Sequence, residues 1–403
     1  MVKKSVLIVS GVFPPEQVTS ALMNYDLAVE LAKMYDVTVL RPYPTRPLGT
    51  KYENADVEGV DFKVILLDTY TYPQSQPIGR FRESIDFGKK VTRYIKQHHK
   101  KIDFIYNCSW QLFGVYLVAK TAKKYGIPYM IAIQDIYPES LLTGHKYPLI
   151  VKKGVMSVFG PLDKYYQKNA YKVRTISEEM ASYLSETRKI PKEKYLVVNN
   201  WQNDEDFSTV TKGKKSNSLV FAYVGSINVH SNVDLIIKAF HRAKIQNATL
   251  RIYGGGNRTE QCIALAKELG LTNVTFDQVS RDKVPEVQSE ADVLVLALPK
   301  GNGELCLPSK ITSYMLSGKP ILASVDLNSA THRYLTEANC GIVVESDSLD
   351  ALARAFEKIG NMDADELKEM GRKGKSFADN NLTKKVNLEL VVDAIKCCME
   401  KQQ

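Results

Sequence analysis

The feature that most restricts the fold of this chain is an alternation that occurs twice. Short runs rich in Val, Ile, Leu and aromatic residues, "VLIVS", "VTVL", "FKVILLD", "FIYNCS" and "PYMIAIQD", are separated by segments with apolar residues at helical spacing, such as "GVYLVAKTAKKYG". Continuous apolar runs of this length fit strands buried on both faces, as in a parallel sheet covered by helices. The opening reads as a strand at 5–10, a helix at about 20–34 and a strand at 36–41, which is a parallel crossover unit. A polar stretch at 202–218, "QNDEDFSTVTKGKKSNS", interrupts the series. A second series follows, from "LVFAYVGS" through "ATLRIYGGG", "VTFDQV", "ADVLVLAL" and "PILASVD" to "GIVVES". The expectation is an α/β chain with two doubly wound, Rossmann-like domains: residues 1–201, a linker at 202–218, and residues 219–381, with a last helix at about 382–403.

In open parallel sheets, ligands bind beyond the carboxyl ends of the strands, so the loops after strands are the ones to inspect. In the second series these are "VGSINVHSN", "YGGGNR", the end of "VTFDQV" and "LPKGNGELCLPSK". They supply Gly225, Ser226 and Asn228, Gly255 and Arg258, Val279, and Ser309 with Lys310. "LPSKITSYMLSGKP" reads as a helix opened by Pro308 and closed at "SGKP", so Ser309 and Lys310 lie at a helix N-terminus. Free amides and the positive end of the dipole gather there, and a lysine adds a further attraction for a phosphate. The other reading is a solvated lysine at an ordinary helix start. The loops "VGSINVHSN", "YGGGNR" and "LPKGNGELCLPSK", three in one doubly wound domain, suit a nucleoside diphosphate, and the absence of GxGxxG after the first strand counts against a dinucleotide oxidoreductase. In the first series the corresponding loops are "SGVFPPEQVTS", "NCSWQLFG" and "QDIYPES". Their candidates are Gly11, Pro15, Thr19 and Ser20, then Trp110, then Asp135, Tyr137 and Glu139.

Charge divides unevenly between the two halves. Of the net +9, residues 1–200 carry 29 Lys and Arg against 19 Asp and Glu, and residues 201–403 are nearly neutral. Two segments concentrate the excess, 80–101 and 146–174, each with apolar residues at roughly helical spacing: Phe87, Val91 and Ile95 in the first, Ile150, Val151, Val155 and Val158 in the second. The first reads as a helix packed on its own domain. The second, with "LIVKKGVMSVFG", reads as a face for an anionic membrane surface. No nucleic-acid recognition motif accompanies the charge. The six cysteines show no zinc spacing or disulfide framework. With no apolar run of about 18 residues and no cleavage-like site before the first strand, the expected location is cytoplasmic or peripheral to a membrane.

Several blocks together resemble a known family. "VLIVSGVFPPEQVTSALMNYDLAVELA", "IQDIYPESL", "NNW" and above all "LPSKITSYMLSGKPILASVDLNSATHRYLTEANCGIVV" resemble the GT-B glycosyltransferases of family 4, in particular the bacterial surface-polysaccharide branch with the N-acetyl-L-fucosaminyl transferases. The resemblance implies two Rossmann-like domains facing across a cleft, the N-terminal one binding the acceptor and completed by the last helix. It implies transfer, with retention and without a metal, of a sugar from a UDP-sugar to a saccharide on a polyprenyl diphosphate, in capsule or O-antigen synthesis at the inner face of the plasma membrane. UDP-sugar is then a substrate and no cofactor is expected. The chain departs from the family at its paired glutamates, whose positions read Leu305 and Ser313, which leaves Glu304 one residue out of register and Ser313 where the ribose carboxylate would be. Asp135 is the carboxylate expected near the reacting centre, as acceptor base or sugar contact, or else as a cap of the "DIYPES" turn. Two other readings stay open: a UDP-N-acetylhexosamine 2-epimerase of the same fold, and a nucleotide-sugar-binding protein without catalysis.

Overall fold

The computed structural model describes residues 3–46, 52, 57–72, 77–109, 112–142, 147–208, 218–301 and 307–401. The chain forms two compact units, residues 1–200 with 387–403, and residues 201–386. The first is built on seven strands: β1 (Ser5–Ser10), β2 (Asp36–Pro42), β3 (Lys63–Leu67), β4 (Phe104–Cys108), β5 (Tyr129–Ala132), β6 (Lys172–Thr175) and β7 (Tyr195–Val197). They lie in the order β3-β2-β1-β4-β5-β6-β7, every pair parallel. Val6, Leu7, Ile8 and Val9 of β1 are all buried, as the unbroken apolar run requires.

The second unit carries β8 (Leu219–Val224), β9 (Ala248–Tyr253), β10 (Val274–Asp277), β11 (Val293–Ala297), β12 (Ile321–Val325) and β13 (Gly341–Glu345). Their order is β10-β9-β8-β11-β12-β13, again parallel throughout. Phe221 of β8, Phe240 and Phe356 pack edge to face, with ring centres 4.9 to 6.0 Å apart, and join the sheet to the helices Val233–Ala243 and Leu349–Gly360. Each such ring removed from water contributes roughly 2–3 kcal/mol. Both units are thus doubly wound α/β domains. Each has one point where the strand order reverses, between β1 and β4 and between β8 and β11, and there the following loops diverge to leave a crevice.

The two basic segments differ in what they bury. In the helix Pro77–His98, Phe87, Val91 and Ile95 are fully enclosed, and a Cβ on Gly88 would meet Gly114 Cα at 2.8 Å, so this helix lies tight against its own unit. In the helix Leu149–Asn169, only the second half is enclosed, through Asp163, Tyr166 and Gln167. Its first half leaves Leu149 67%, Ile150 80% and Val158 64% exposed beside the exposed Lys152 and Lys153. Of the stretch expected as a linker, residues 202–208 belong to the second unit and 209–217 lie outside the described residues. The helix Lys384–Glu400 returns the chain to the first unit at Asn387, whose Oδ1 accepts the Asn199 amide at 2.8 Å. Among the described residues no helix is long and apolar enough to cross a membrane, and no group of His, Cys, Asp or Glu is placed to hold a metal ion. The five described cysteines form no disulfide.

Candidate functional site

At the crevice of the second unit, Lys310 is the organising residue. The helix Ser309–Leu316 follows β11, and Pro308 precedes it with extended backbone and no side-chain cap; the Ile311 amide donates to the Pro308 carbonyl at 3.1 Å, and among the described residues the Ser309 and Lys310 amides have no such bond. Lys310 does not extend into solvent from this helix. Its stem crosses to the end of β8, where Nζ donates to the Tyr223 hydroxyl at 2.7 Å and lies 4.7 Å from the ring centre. Tyr223 in turn donates to the Ser226 carbonyl at 2.6 Å, and burial raises its phenol, which keeps it neutral. No carboxylate among the described residues approaches Lys310, and burial lowers its ammonium to about 8.

Gly225 is what makes room for this lysine. A Cβ there would lie 1.9 Å from Lys310 Cε, and the backbone φ of +147° is one that side chains rarely adopt. The triplet at 254–256 has a different purpose from the phosphate approach expected of it. A Cβ on Gly254 would meet the Gly225 carbonyl oxygen at 2.0 Å and one on Gly256 the Ile227 oxygen at 2.1 Å, so these glycines let the loop after β9 lie directly on the loop after β8. The bonds Gly225 N to Tyr253 O, Ile227 N to Gly255 O and Arg258 N to Ile227 O fasten the two loops together. At Gly255 a Cβ would meet no backbone, only the Gln278 side chain at 3.4 Å.

The structure therefore brings Gly225, Ser226, Gly255, Ser309 and Lys310 to the carboxyl end of one sheet, and three other candidates turn away. Arg258 is near in the chain trace, but its guanidinium donates to Gln261 of its own helix at 2.8 Å. The Asn228 side chain folds its own loop, accepting from the His230 amide and donating to Ser226 Oγ. Ser313 is a correction: it is 4% exposed, its hydroxyl donates to the Lys310 carbonyl and accepts from Gln288 Nε2, so it faces the core and presents nothing to a ribose. Val279 follows β10 at the sheet edge, half-buried. Glu304 lies outside the described residues, as does Trp110.

At the crevice of the first unit, the Gly11 amide donates to the Cys108 carbonyl and joins the ends of β1 and β4. The loop after β1 passes through Pro15 to Thr19 and Ser20, which open the helix Thr19–Ala32 behind an N-cap, Val18, that offers no side-chain bond. Glu16, which the sequence reading passed over, holds that loop: 1% exposed, it accepts from the amides of Phe13, Thr45 and Arg46 at 2.8 to 3.0 Å. Asp135 follows β5, open to solvent at its tip, with no hydrogen-bond donor among the described residues, and the surrounding protein raises its carboxyl above the usual range through desolvation. It caps nothing. Tyr137 is half-buried beside it. Glu139, expected in the acceptor site, is instead committed to structure: Arg188 grips both of its oxygens at 2.6 and 2.8 Å, and Tyr183 donates at 2.9 Å. Burial would raise the Glu139 carboxyl, and those contacts outweigh it and hold it below the usual range.

A helix N-terminus without a side-chain cap and a lysine that no carboxylate approaches among the described residues, at a strand-order reversal, are an arrangement that can receive an anion such as a diphosphate. Residues 204–377 match the model of Glycosyl transferases group 1 and residues 21–205 that of Glycosyltransferase Family 4. The chain is 22% identical over 287 residues to the probable glycosyltransferase WbjE of Pseudomonas aeruginosa, covering 66% of this chain and 67% of that protein. It is 22% identical over 202 residues to the putative colanic acid biosynthesis glycosyl transferase WcaI of Escherichia coli, covering 47% of this chain and about half, 49%, of that one. Among solved structures it resembles the Anabaena protein Alr3699/HepE, crystallised in complex with UDP, with a TM-score of 0.68 at 13% identity over 98% of this chain and all of that one. With the two models adjoining near residue 204 and spanning residues 21 to 377, the chain belongs to the GT-B glycosyltransferases that join a family 4 N-terminal domain to a group 1 C-terminal domain.

Proposed function

We propose that the protein is a retaining, metal-independent glycosyltransferase that moves a sugar, N-acetyl-L-fucosamine or another N-acetylated sugar, from a UDP-sugar to a polyprenyl-diphosphate-linked saccharide in surface-polysaccharide assembly. The observation that carries the reading is Lys310, a half-buried cation at a helix N-terminus whose hydrogen-bond partner among the described residues is a neutral phenol. In the reaction the anomeric carbon–oxygen bond to the diphosphate breaks, UDP leaves with the electron pair, and the acceptor hydroxyl forms the new bond on the same face. A leaving diphosphate is then neutralised by Lys310 and the amides of Ser309 and Lys310, with Gly225 leaving the room that they need. Asp135, a carboxylate on the first unit without a hydrogen-bond partner among the described residues, serves the acceptor hydroxyl. UDP in the Anabaena complex and colanic acid in the name of the E. coli relative support the donor and the setting.

The exposed half of the helix Leu149–Asn169 supports a lipid-borne acceptor and attachment to the cytoplasmic leaflet. Leu149, Ile150 and Val158 offer apolar surface, and Lys152 and Lys153 offer charge worth about 1 kcal/mol each at an anionic surface. The deciding experiment is UDP release from a panel of UDP-N-acetyl sugars, with and without a short-chain lipid diphosphate saccharide. Release that depends on the lipid identifies a transferase. Conversion of the donor to an epimer, or binding with no turnover, would refute it.

A further inference from the structure

We infer that Arg188 is a positioning residue for the acceptor half of the reaction: its buried guanidinium sets the loop Asp135–Glu139 in place and thereby aims the Asp135 carboxylate. The inference rests on the assignment of Asp135 to the acceptor. Arg188 is the last residue of the helix Glu178–Arg188 and is 4% exposed. All three guanidinium nitrogens are engaged. Nε donates to Asp163 Oδ2 at 2.5 Å, Nη1 to Glu139 Oε1 at 2.6 Å and Thr187 Oγ1 at 2.9 Å, and Nη2 to Glu139 Oε2 at 2.8 Å and the Tyr137 carbonyl at 2.9 Å.

The direction of these bonds separates positioning from mere stability. Pairing a buried arginine needs one carboxylate, and Asp163 already provides it. Asp163 is itself fixed, accepting from the Tyr166 hydroxyl and Gln167 Nε2. The remaining bonds reach out to the loop that carries Asp135, and that loop has few others. The last bond from this segment to the sheet is Ile133 N to Arg174 O, and Ser140 N to Ile136 O and Leu141 N to Pro138 O are internal to the turn. Among the described residues, the hydrogen bonds that tie 135–139 to the rest of the unit come from Arg188 and Tyr183. A planar fork can hold a carboxylate and a carbonyl in fixed relation, and an ammonium cannot. Among the described residues the Asp135 carboxylate has no hydrogen-bond partner of its own, so its direction is inherited from this backbone.

The test compares the full-length protein with Arg188→Lys, which keeps the charge and loses the fork, and with Tyr195→Phe, which removes the bond from Tyr195 to Gln167 in the same cluster without touching the loop. Three quantities are read: amide exchange of the peptide 134–142, UDP affinity, and kcat and KM for a short-chain lipid diphosphate saccharide. Arg188→Lys should speed exchange in that peptide about tenfold and lower kcat with the lipid acceptor about tenfold or more, with UDP affinity unchanged. Tyr195→Phe should leave kcat within about twofold even where its melting temperature falls as far. Unaltered exchange and kcat in Arg188→Lys would overturn the inference, as would an equal loss of kcat in Tyr195→Phe. A wild-type protein that binds no UDP would instead remove the reading on which the inference rests, whatever the exchange data show.

Discussion

The ammonium of Lys310 lies 2.7 Å from the phenol oxygen of Tyr223, a neutral acceptor, and no carboxylate shares it among the described residues. A cation so placed is destabilised by burial and available to an anion.

The affinity for UDP should depend on pH in a defined direction. In the free protein Lys310 is lowered to about 8 by burial, and a bound diphosphate restores it toward the ordinary lysine value. Below about pH 8 the lysine is charged in both states and affinity is at its plateau. Above it, binding must take up a proton, so affinity falls by up to about tenfold per pH unit. Calorimetric titration of UDP between pH 7 and 9.5 measures this, and Lys310→Met should show no such fall.

Glycine substitutions should divide by what the added methyl meets. Gly254→Ala places it 2.0 Å from a backbone oxygen and should cost several kcal/mol or abolish folding. Gly225→Ala meets the Lys310 stem at 1.9 Å, so it should fold with strain of about 1–3 kcal/mol and lose UDP binding. Gly255→Ala meets only Gln278 at 3.4 Å and should cost little. Denaturant melts of the three variants give the order.

Asp135→Asn should leave UDP affinity and melting temperature unchanged and lower kcat for the lipid acceptor by about 10²- to 10⁴-fold. Because desolvation raises the Asp135 carboxyl, the acid limb of the wild-type pH–rate profile should lie above the usual carboxylate range. A kcat unchanged in Asp135→Asn would remove the residue from the chemistry.

Ile150→Glu with Leu149→Glu should fold normally, since these side chains are 80% and 67% exposed, and should lose binding to vesicles containing phosphatidylglycerol. Sedimentation with vesicles measures it. The same pair of charges placed on the helix Pro77–His98 at Phe87 and Val91, both fully buried, should instead prevent folding.

Much of the fold is legible in the sequence because buried parallel strands are written as unbroken apolar runs, and β11, "VLVLA", and β12, "ILASV", are enclosed along their whole length. Lys310 is also legible, since a strand, a loop and a helix opened after proline define a helix N-terminus. Its partner is not. Tyr223 stands 87 residues earlier and meets Lys310 only because β8 pairs with β11. A run of glycines signals that something approaches closely, but not what, and at 254 and 256 it is backbone and not phosphate. Ser313 sits where a ribose contact was expected, yet helical phase turns it inward, and Glu139 is claimed by an arginine 49 residues away. Such pairings depend on tertiary contact and leave no local pattern.

The most direct test of the account is calorimetric titration of UDP into the wild-type protein and Lys310→Ala at pH 7. The account predicts saturable binding by the wild type and a loss of about ten- to a hundredfold in the variant, the worth of a charge-assisted bond of about 1.5–3 kcal/mol, with the fold intact. Equal affinity in the two proteins, or no binding of UDP to either, would contradict it.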